Sequence, residues 1–249
     1  MDAMEMYSNK IEGILKEIRE KEDFTEAVEL ISKIVEKGDL IHVFGTGAHS
    51  ILGAMEVFYR AGGLACINPI FPPGVSHLDS HPNTERLVGY AKSILDHYGV
   101  KKGDVIIIIN VNGINAMTID SALEAKKRGA KVIAITSSEF SKSIPPGASS
   151  RHPSNKSLYE LGDIVIDAHV PSGDAVVEIE GLDLKIASSS TIANCFIMQC
   201  LFSLVVEKLV QRGITPPIWK SANIPGGDEA NKKYLEKYAK RVKHLYSYK

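Results

Sequence analysis

Residues Val105–Ile109 read Val-Ile-Ile-Ile-Ile, five β-branched apolar side chains in succession. Such residues are stiff at χ1 and suit a pleated strand better than a helix. Successive side chains of a strand point to opposite faces, so a run with no polar position needs cover on both. That places the stretch in the interior of a parallel sheet with helices above and below. Residues 131–135, Lys131 followed by four apolar residues, read as a second strand soon after the helix-length segment ending at Arg128. A strand, a helix and a second parallel strand in one sheet join by a right-handed crossover. Both strands then end at the same edge, where open α/β sheets bind ligands.

The remaining chain fits that frame. Residues 40–44 are a short apolar run, followed by the turn Gly45-Thr46-Gly47-Ala48-His49-Ser50 and a helical pattern over 51–60. A strand feeding a glycine-rich turn at a helix start offers backbone N–H groups and the positive end of a helix dipole, which suits an anion such as phosphate. Residues 64–68 and 164–168 read as further strands, and 175–179 as a short edge strand. Residues 83–98, with Asn83 as N-cap, and 192–210 read as helices. Residues 3–37 predict two helices that join near 20–23, and 228–248 predict a last helix. Long loops occupy 69–82, 141–156 and 215–227. With no internal repeat or linker, the chain of 249 residues reads as one domain, with a helical extension at 1–37 and a C-terminal tail and helix at 214–249.

Composition excludes several classes. A net charge of −1 gives no basic field for nucleic acid. No uninterrupted apolar run approaches the ~20 residues of a membrane span, and residues 1–10 lack a signal-peptide core. Three cysteines, Cys66, Cys195 and Cys200, have neither metal-ligand spacing nor an even count for a disulfide framework. The expectation is a cytoplasmic protein without cofactor or metal.

The strand ends carry one chemistry. Thr46, Gly47, His49 and Ser50 follow the first strand; Asn110, Asn112, Gly113 and Asn115 follow the apolar one; Thr136 and Ser137 follow the next. Ser189, Ser190 and Thr191 open the long apolar helix. A neutral, hydroxyl-rich cradle of this kind suits a sugar phosphate held by backbone N–H groups and helix starts. The plain alternative for each residue is a cap or turn role, which Ser, Thr and Asn commonly fill.

These turns, with the serine-rich helix start, resemble the SIS (sugar isomerase) domain family. The segments 58–63, 110–113, 151–156 and 221–231 are similar to an uncharacterised bacterial subgroup, and the likeness runs over about residues 8–246. The resemblance implies a three-layer α/β/α sandwich around a five-stranded parallel sheet of flavodoxin-like topology. It implies a homodimer or homotetramer that binds a phosphosugar as an aldose–ketose isomerase, a phosphoheptose isomerase, an ether-cleaving enzyme or a regulator. Two turns depart from the family pattern: His49 stands where a serine is usual, and 110–115 reads Asn-Val-Asn-Gly-Ile-Asn in place of SxSGxT. The ligand class therefore extends to modified or unphosphorylated sugar derivatives.

Isomerisation through an enediol needs a carboxylate to move a proton and a group to open the sugar ring. Glu56 lies two turns beyond the first loop, where an i,i+4 pair with Arg60 competes for it. Glu85 lies in the first turn of the 83–98 helix, in a region where the family often carries an acid. His152 is the candidate ring-opening group, whereas His42, inside a strand, reads as a core histidine. Asn223 in the tail is expected to reach a partner subunit's pocket, as tails do in several family members. A metal site at His77, Asp79 and His81, which alternate along a loop, is the rival chemistry.

Overall fold

The computed structural model describes residues 1–76, 78 and 81–245. Two helices come first, α1 (Ala3–Lys21) and α2 (Thr25–Glu36). The alternating part follows: β1 (Ile41–Gly45), α3 (Ile51–Val57), β2 (Ile67–Pro69), α4 (Tyr90–Tyr98), β3 (Val105–Ile109), α5 (Ala116–Arg128) and β4 (Lys131–Thr136). Short helices α6 (Ser138–Ser143) and α7 (Leu158–Leu161) lead to β5 (Ile164–Asp167). A small ribbon, β6 (Ala175–Val177) and β7 (Ile186–Ser188), precedes the long α8 (Ser190–Gln211) and α9 (Gly227–Tyr238).

The five strands pair in the order β2-β1-β3-β4-β5, all parallel. The run of β-branched residues is the central strand, and its alternation divides the core. Val105, Ile107 and Ile109 pack with residues of α1, α2, α3, α8 and α9. Ile106 and Ile108 pack with α4, α5 and α7. All five residues are fully buried, as a strand without a polar face requires. Helix α8 is long and apolar enough by length and composition to cross a membrane. Here its Ile197, Met198 and Leu201 are buried in the core it shares with α1 and α2.

Several boundaries differ from the sequence reading. The expected helix over 83–98 is a 3-10 turn at Pro82–Arg86 and, after Gly89, the separate α4. His81, not Asn83, caps the 3-10 turn, with its Nδ1 accepting from Asn83 N at 3.2 Å. Gly89 sits at φ +88°, a left-handed conformation that interrupts a helix. Leu87, expected to face inward with Ala91, Ile94 and Leu95, is exposed, as is Val88. The expected edge strand at 175–179 pairs instead with β7 as a separate antiparallel ribbon. The last helix ends at Tyr238, and turns follow to Leu245. His77 and Asp79 of the rival metal reading lie outside the described residues.

The amino ends of the strands are closed by polar contacts. His42 is buried; its Nδ1 accepts from Asn68 Nδ2 at 3.1 Å and its Nε2 faces Asp104 Oδ2 at 3.4 Å. Burial pushes the Asp104 carboxyl up, but His42 and the Lys101 N–H outweigh it and hold the group below its ordinary value. Nearby, Tyr98 Oη accepts from Phe71 N at 3.0 Å and shares a hydrogen bond with His244 Nε2 at 2.7 Å. That bond docks the C-terminal segment.

Burial, with His97 close by, lowers the His244 pKa from its ordinary value of 6.5. The unfolded chain then takes up this proton more readily than the folded one, so stability rises with pH across the window below 6.5. The contribution is whole above that value and is lost as pH falls through it. A His244→Gln variant keeps an acceptor without the titration. The expected result is a steeper fall in Tm between pH 7 and 5 for the natural protein than for the variant; parallel curves would contradict the assignment.

Candidate functional site

From β1 the chain moves outward through α3 to β2, then returns through α4 to β3 on the other side of β1. The loops leaving β1 and β3 therefore part toward opposite faces, and a crevice opens between them at the carboxyl edge. Its walls are fixed by backbone constraints. A β-carbon on Gly45 would lie 2.1 Å from the Ser50 carbonyl oxygen, so only glycine lets the first loop fold back this tightly. Gly113 has φ +60°, and a β-carbon there would come within 2.5 Å of Thr136 Oγ1.

Four of the expected site residues converge on one point. The position that a β-carbon on Gly47 would occupy is 2.9 Å from Asn110 Nδ2, 3.5 Å from Ser50 Oγ and 3.6 Å from Glu85 Oε2. These groups come from the β1 loop, the end of β3 and the 3-10 turn. Asn110 Oδ1 accepts from Gly113 N at 2.9 Å, which turns its amide nitrogen the other way. Ser50 is buried, and among the described residues its hydroxyl has no hydrogen-bond partner. His49 is exposed beside it.

Other hydroxyls in the expected cradle are engaged inside the protein. Thr46 Oγ1 meets Thr118 Oγ1 at 2.7 Å, and Thr136 Oγ1 donates to Val111 O at 3.1 Å. Ser137 Oγ accepts from Val170 N at 2.7 Å. At the start of α8, Asp174 Oδ1 accepts from the backbone N–H of Ser189 and Ser190, and Oδ2 from the Ser190 hydroxyl. The anion at that helix start is thus the chain's own carboxylate, while Thr191, half-buried, follows it. Asn112 Oδ1 closes a turn onto Ile114 N at 3.2 Å.

Glu56 pairs with Arg60 at 3.1 Å and accepts from Gln199 at 3.0 Å, the competing arrangement its spacing allowed. Asn223 lies in the tail, which pairs through Pro217 and Trp219 with residues 62–65, the segment that leads into β2. Within one chain this is the end of the sheet away from the crevice.

His152 is buried and both its ring nitrogens are engaged. Its Nδ1 accepts from Ser154 N at 3.1 Å, with Ser154 Oγ at 2.7 Å. The proton therefore sits on Nε2, which faces Asp120 Oδ1 at 3.2 Å. Asp120 Oδ2 accepts from Gly89 N at 2.6 Å. Asp120, which sequence reasoning missed, thus ties α5 to the 144–157 loop and to Gly89, three residues beyond the 3-10 turn of Glu85. Arg151 secures the same loop from within by bonds to Ile144 O and Asn155 O, and Asn115 Nδ2 holds it through Ser150 O.

A sequence model of the SIS domain matches residues 6–137. A UPF0309 protein of Oceanobacillus iheyensis is 41% identical over 252 residues, covering 98% of this chain and 100% of the relative. Another, of Geobacillus thermodenitrificans, is 38% identical over 244 residues, covering 96% of each. Among solved structures, Vibrio vulnificus NanR complexed with ManNAc-6P superposes with a TM-score of 0.51 at 16% identity, covering 85% of this chain and 65% of that one. A Listeria monocytogenes protein named as a candidate sugar-phosphate isomerase gives 0.50 at 15% identity, covering 84% and 90%. At such identities the likeness is one of fold.

Two substitutions probe the arrangement. Gly47→Ala puts a methyl group 2.9 Å from the Asn110 amide, so it is expected to displace that amide with little change in Tm; an undisturbed Asn110 in a crystal structure of the variant would contradict it. Asp120→Ala leaves the Gly89 N–H and the His152 ring without their acceptor, an expected loss of about 1–3 kcal/mol in denaturant unfolding. A loss below about 0.5 kcal/mol would show that Asp120 holds neither loop.

Proposed function

Because the chain belongs to the SIS (sugar isomerase) domain family, we propose that it binds a sugar phosphate or related carbohydrate derivative in the β1–β3 crevice and isomerises it, aldose to ketose, through an enediol. The observation that carries this reading is the convergence of the Ser50 hydroxyl, the Asn110 amide and the Glu85 carboxylate on Gly47. Ser50, the Asn110 amide and the backbone N–H groups that open α5 supply neutral donors for the anionic end of the ligand. His49 and Thr191 complete its rim. Glu85 takes the proton from the hydroxyl-bearing carbon beside the carbonyl; the C–H electron pair forms the carbon–carbon double bond, the carbonyl π pair moves to its oxygen, which gains the proton given up by the adjacent hydroxyl, and Glu85 returns its proton to the former carbonyl carbon. A cytoplasmic homodimer or homotetramer goes with this reading, with the tail of one copy, Asn223 included, reaching another.

One observation favours a second reading, a sensor that binds the same ligand without turnover. The ring-opening candidate His152 has both nitrogens engaged, with Ser154 and with Asp120. Glu56, paired with Arg60 and Gln199, is likewise held away from a free role.

The readings separate in deuterated water with a panel of hexose, hexosamine and heptose phosphates. Turnover gives deuterium at C1 or C2 of one sugar, and Glu85→Gln lowers that exchange at least about 100-fold while stabilisation by the ligand persists. Stabilisation without exchange at either carbon removes the isomerase reading and leaves the sensor. No stabilisation by any sugar removes both.

A further inference from the structure

Buried side-chain polar atoms in folded proteins nearly all have hydrogen-bond partners, so exceptions point to a missing one. Among the described residues three such atoms are unpaired: Ser32 Oγ, Asn115 Oδ1 and Asn194 Oδ1. Ser32 lies on α2, behind the sheet. The other two are amide oxygens at the carboxyl edge, one at the start of α5 and one in the second turn of α8.

Asn194 is the sharper case. It is 1% exposed, and its amide oxygen has no hydrogen-bond partner among the described residues. It stands in an otherwise apolar stretch, Ile192 to Met198, where Leu or Ile would pack without a desolvation cost. Its β-carbon lies 3.6 Å from where a β-carbon on Gly53 of α3 would sit, and Ile109 Cδ1 lies 3.1 Å from the same point. Ile109 is the last residue of β3 and precedes Asn110 of the crevice. Asn115, also 1% exposed, lies on the opposite helical layer beyond the same strand end. An unpaired amide oxygen thus stands on each side of the end of β3.

An amide oxygen only accepts. A phosphate dianion has no hydrogen to give it, but a hydroxyl or an amide N–H does. We infer that Asn194, together with Asn115, reads hydrogen-bond donors on the carbohydrate part of the ligand, its hydroxyl groups or an acetamido N–H, apart from the groups that hold the anionic end. This rests on the proposed carbohydrate-phosphate site and adds the part of the ligand that selects among sugars.

The test uses two variants, Asn194→Leu, which fills the position with an apolar group of similar size, and Asn194→Ala, which removes the amide without adding bulk. The Tm of each is measured without ligand, and affinity by calorimetry for the sugar phosphates of the panel and for inorganic phosphate. The expected result is an unchanged or higher Tm, an affinity for the best sugar phosphate lower by about tenfold or more, and unchanged binding of inorganic phosphate. Equal sugar-phosphate affinity in natural protein and in a folded variant overturns the inference and leaves the site proposal standing; Asn194 then pairs with water alone. Loss of sugar and inorganic phosphate binding together also overturns it, since the amide would then serve the anionic end or the fold. No sugar-phosphate binding by the natural protein removes the site proposal and this inference with it.

Discussion

The parallel pairing of β1 with β3, in register from Ile41↔Val105 to Gly45↔Ile109, is the constraint on which the rest depends. It brings the two strand ends level, so both loops leave the sheet at one height and part to opposite faces. Thr46 extends the pairing by one step, its N–H bonded to Ile109 O at 3.1 Å. Beyond that the β1 loop must turn at once, and the lack of a side chain on Gly45 is what allows it to pass against the Ser50 carbonyl. Ser50 and Gly47 are placed beside Asn110 by this backbone geometry and not by any direct bond between their side chains.

A second consequence is the division of labour among the polar residues at this edge. Those pointing into the sheet layers, Thr46, Thr136 and Ser137, satisfy carbonyls, hydroxyls and N–H groups of neighbouring segments where water cannot reach. Those beside the crevice, Ser50 and the Asn110 amide nitrogen, have no such duty among the described residues. The position of Asp174 extends the same logic. Its carboxylate already occupies the start of α8, so that helix has little positive charge left to offer a further anion.

The sequence shows this much of the fold because strands covered on both faces are unambiguous: Val105–Ile109 admits only one role, and the order of the other elements follows from crossover geometry. Between Asn83 and Tyr98 the apolar spacing imitates a helix, and only the left-handed Gly89 and the exposure of Leu87 and Val88 reveal the break. The polar strand ends are legible as a group, but the partner of each hydroxyl lies on another segment and leaves no local mark. Asp120 sits in a helix with several other charged residues, and its partners Gly89 and His152 lie on distant segments, so its role as a tie between two loops is a tertiary fact. Asn194 does carry a signal, a lone amide among apolar residues, which periodicity reading passes over because it counts apolar positions and not exceptions.

The ties around Asp120 also bear on how the site can work. One carboxylate holds Gly89, four residues beyond Glu85, and the ring of His152, so the acid over the crevice and the loop behind it share a support on α5. Arg151 and Asn115 anchor the same loop at further points, which makes it a rigid wall and not a free lid. A wall of this kind presents the ligand with preformed groups whose ordering has already been met in folding, which favours affinity and selectivity. It also keeps His152 in a tautomer directed at Asp120. On the proposed isomerase reading, chemistry at the crevice centres on Glu85, and a substrate already in open-chain form would meet the fewest obstacles there.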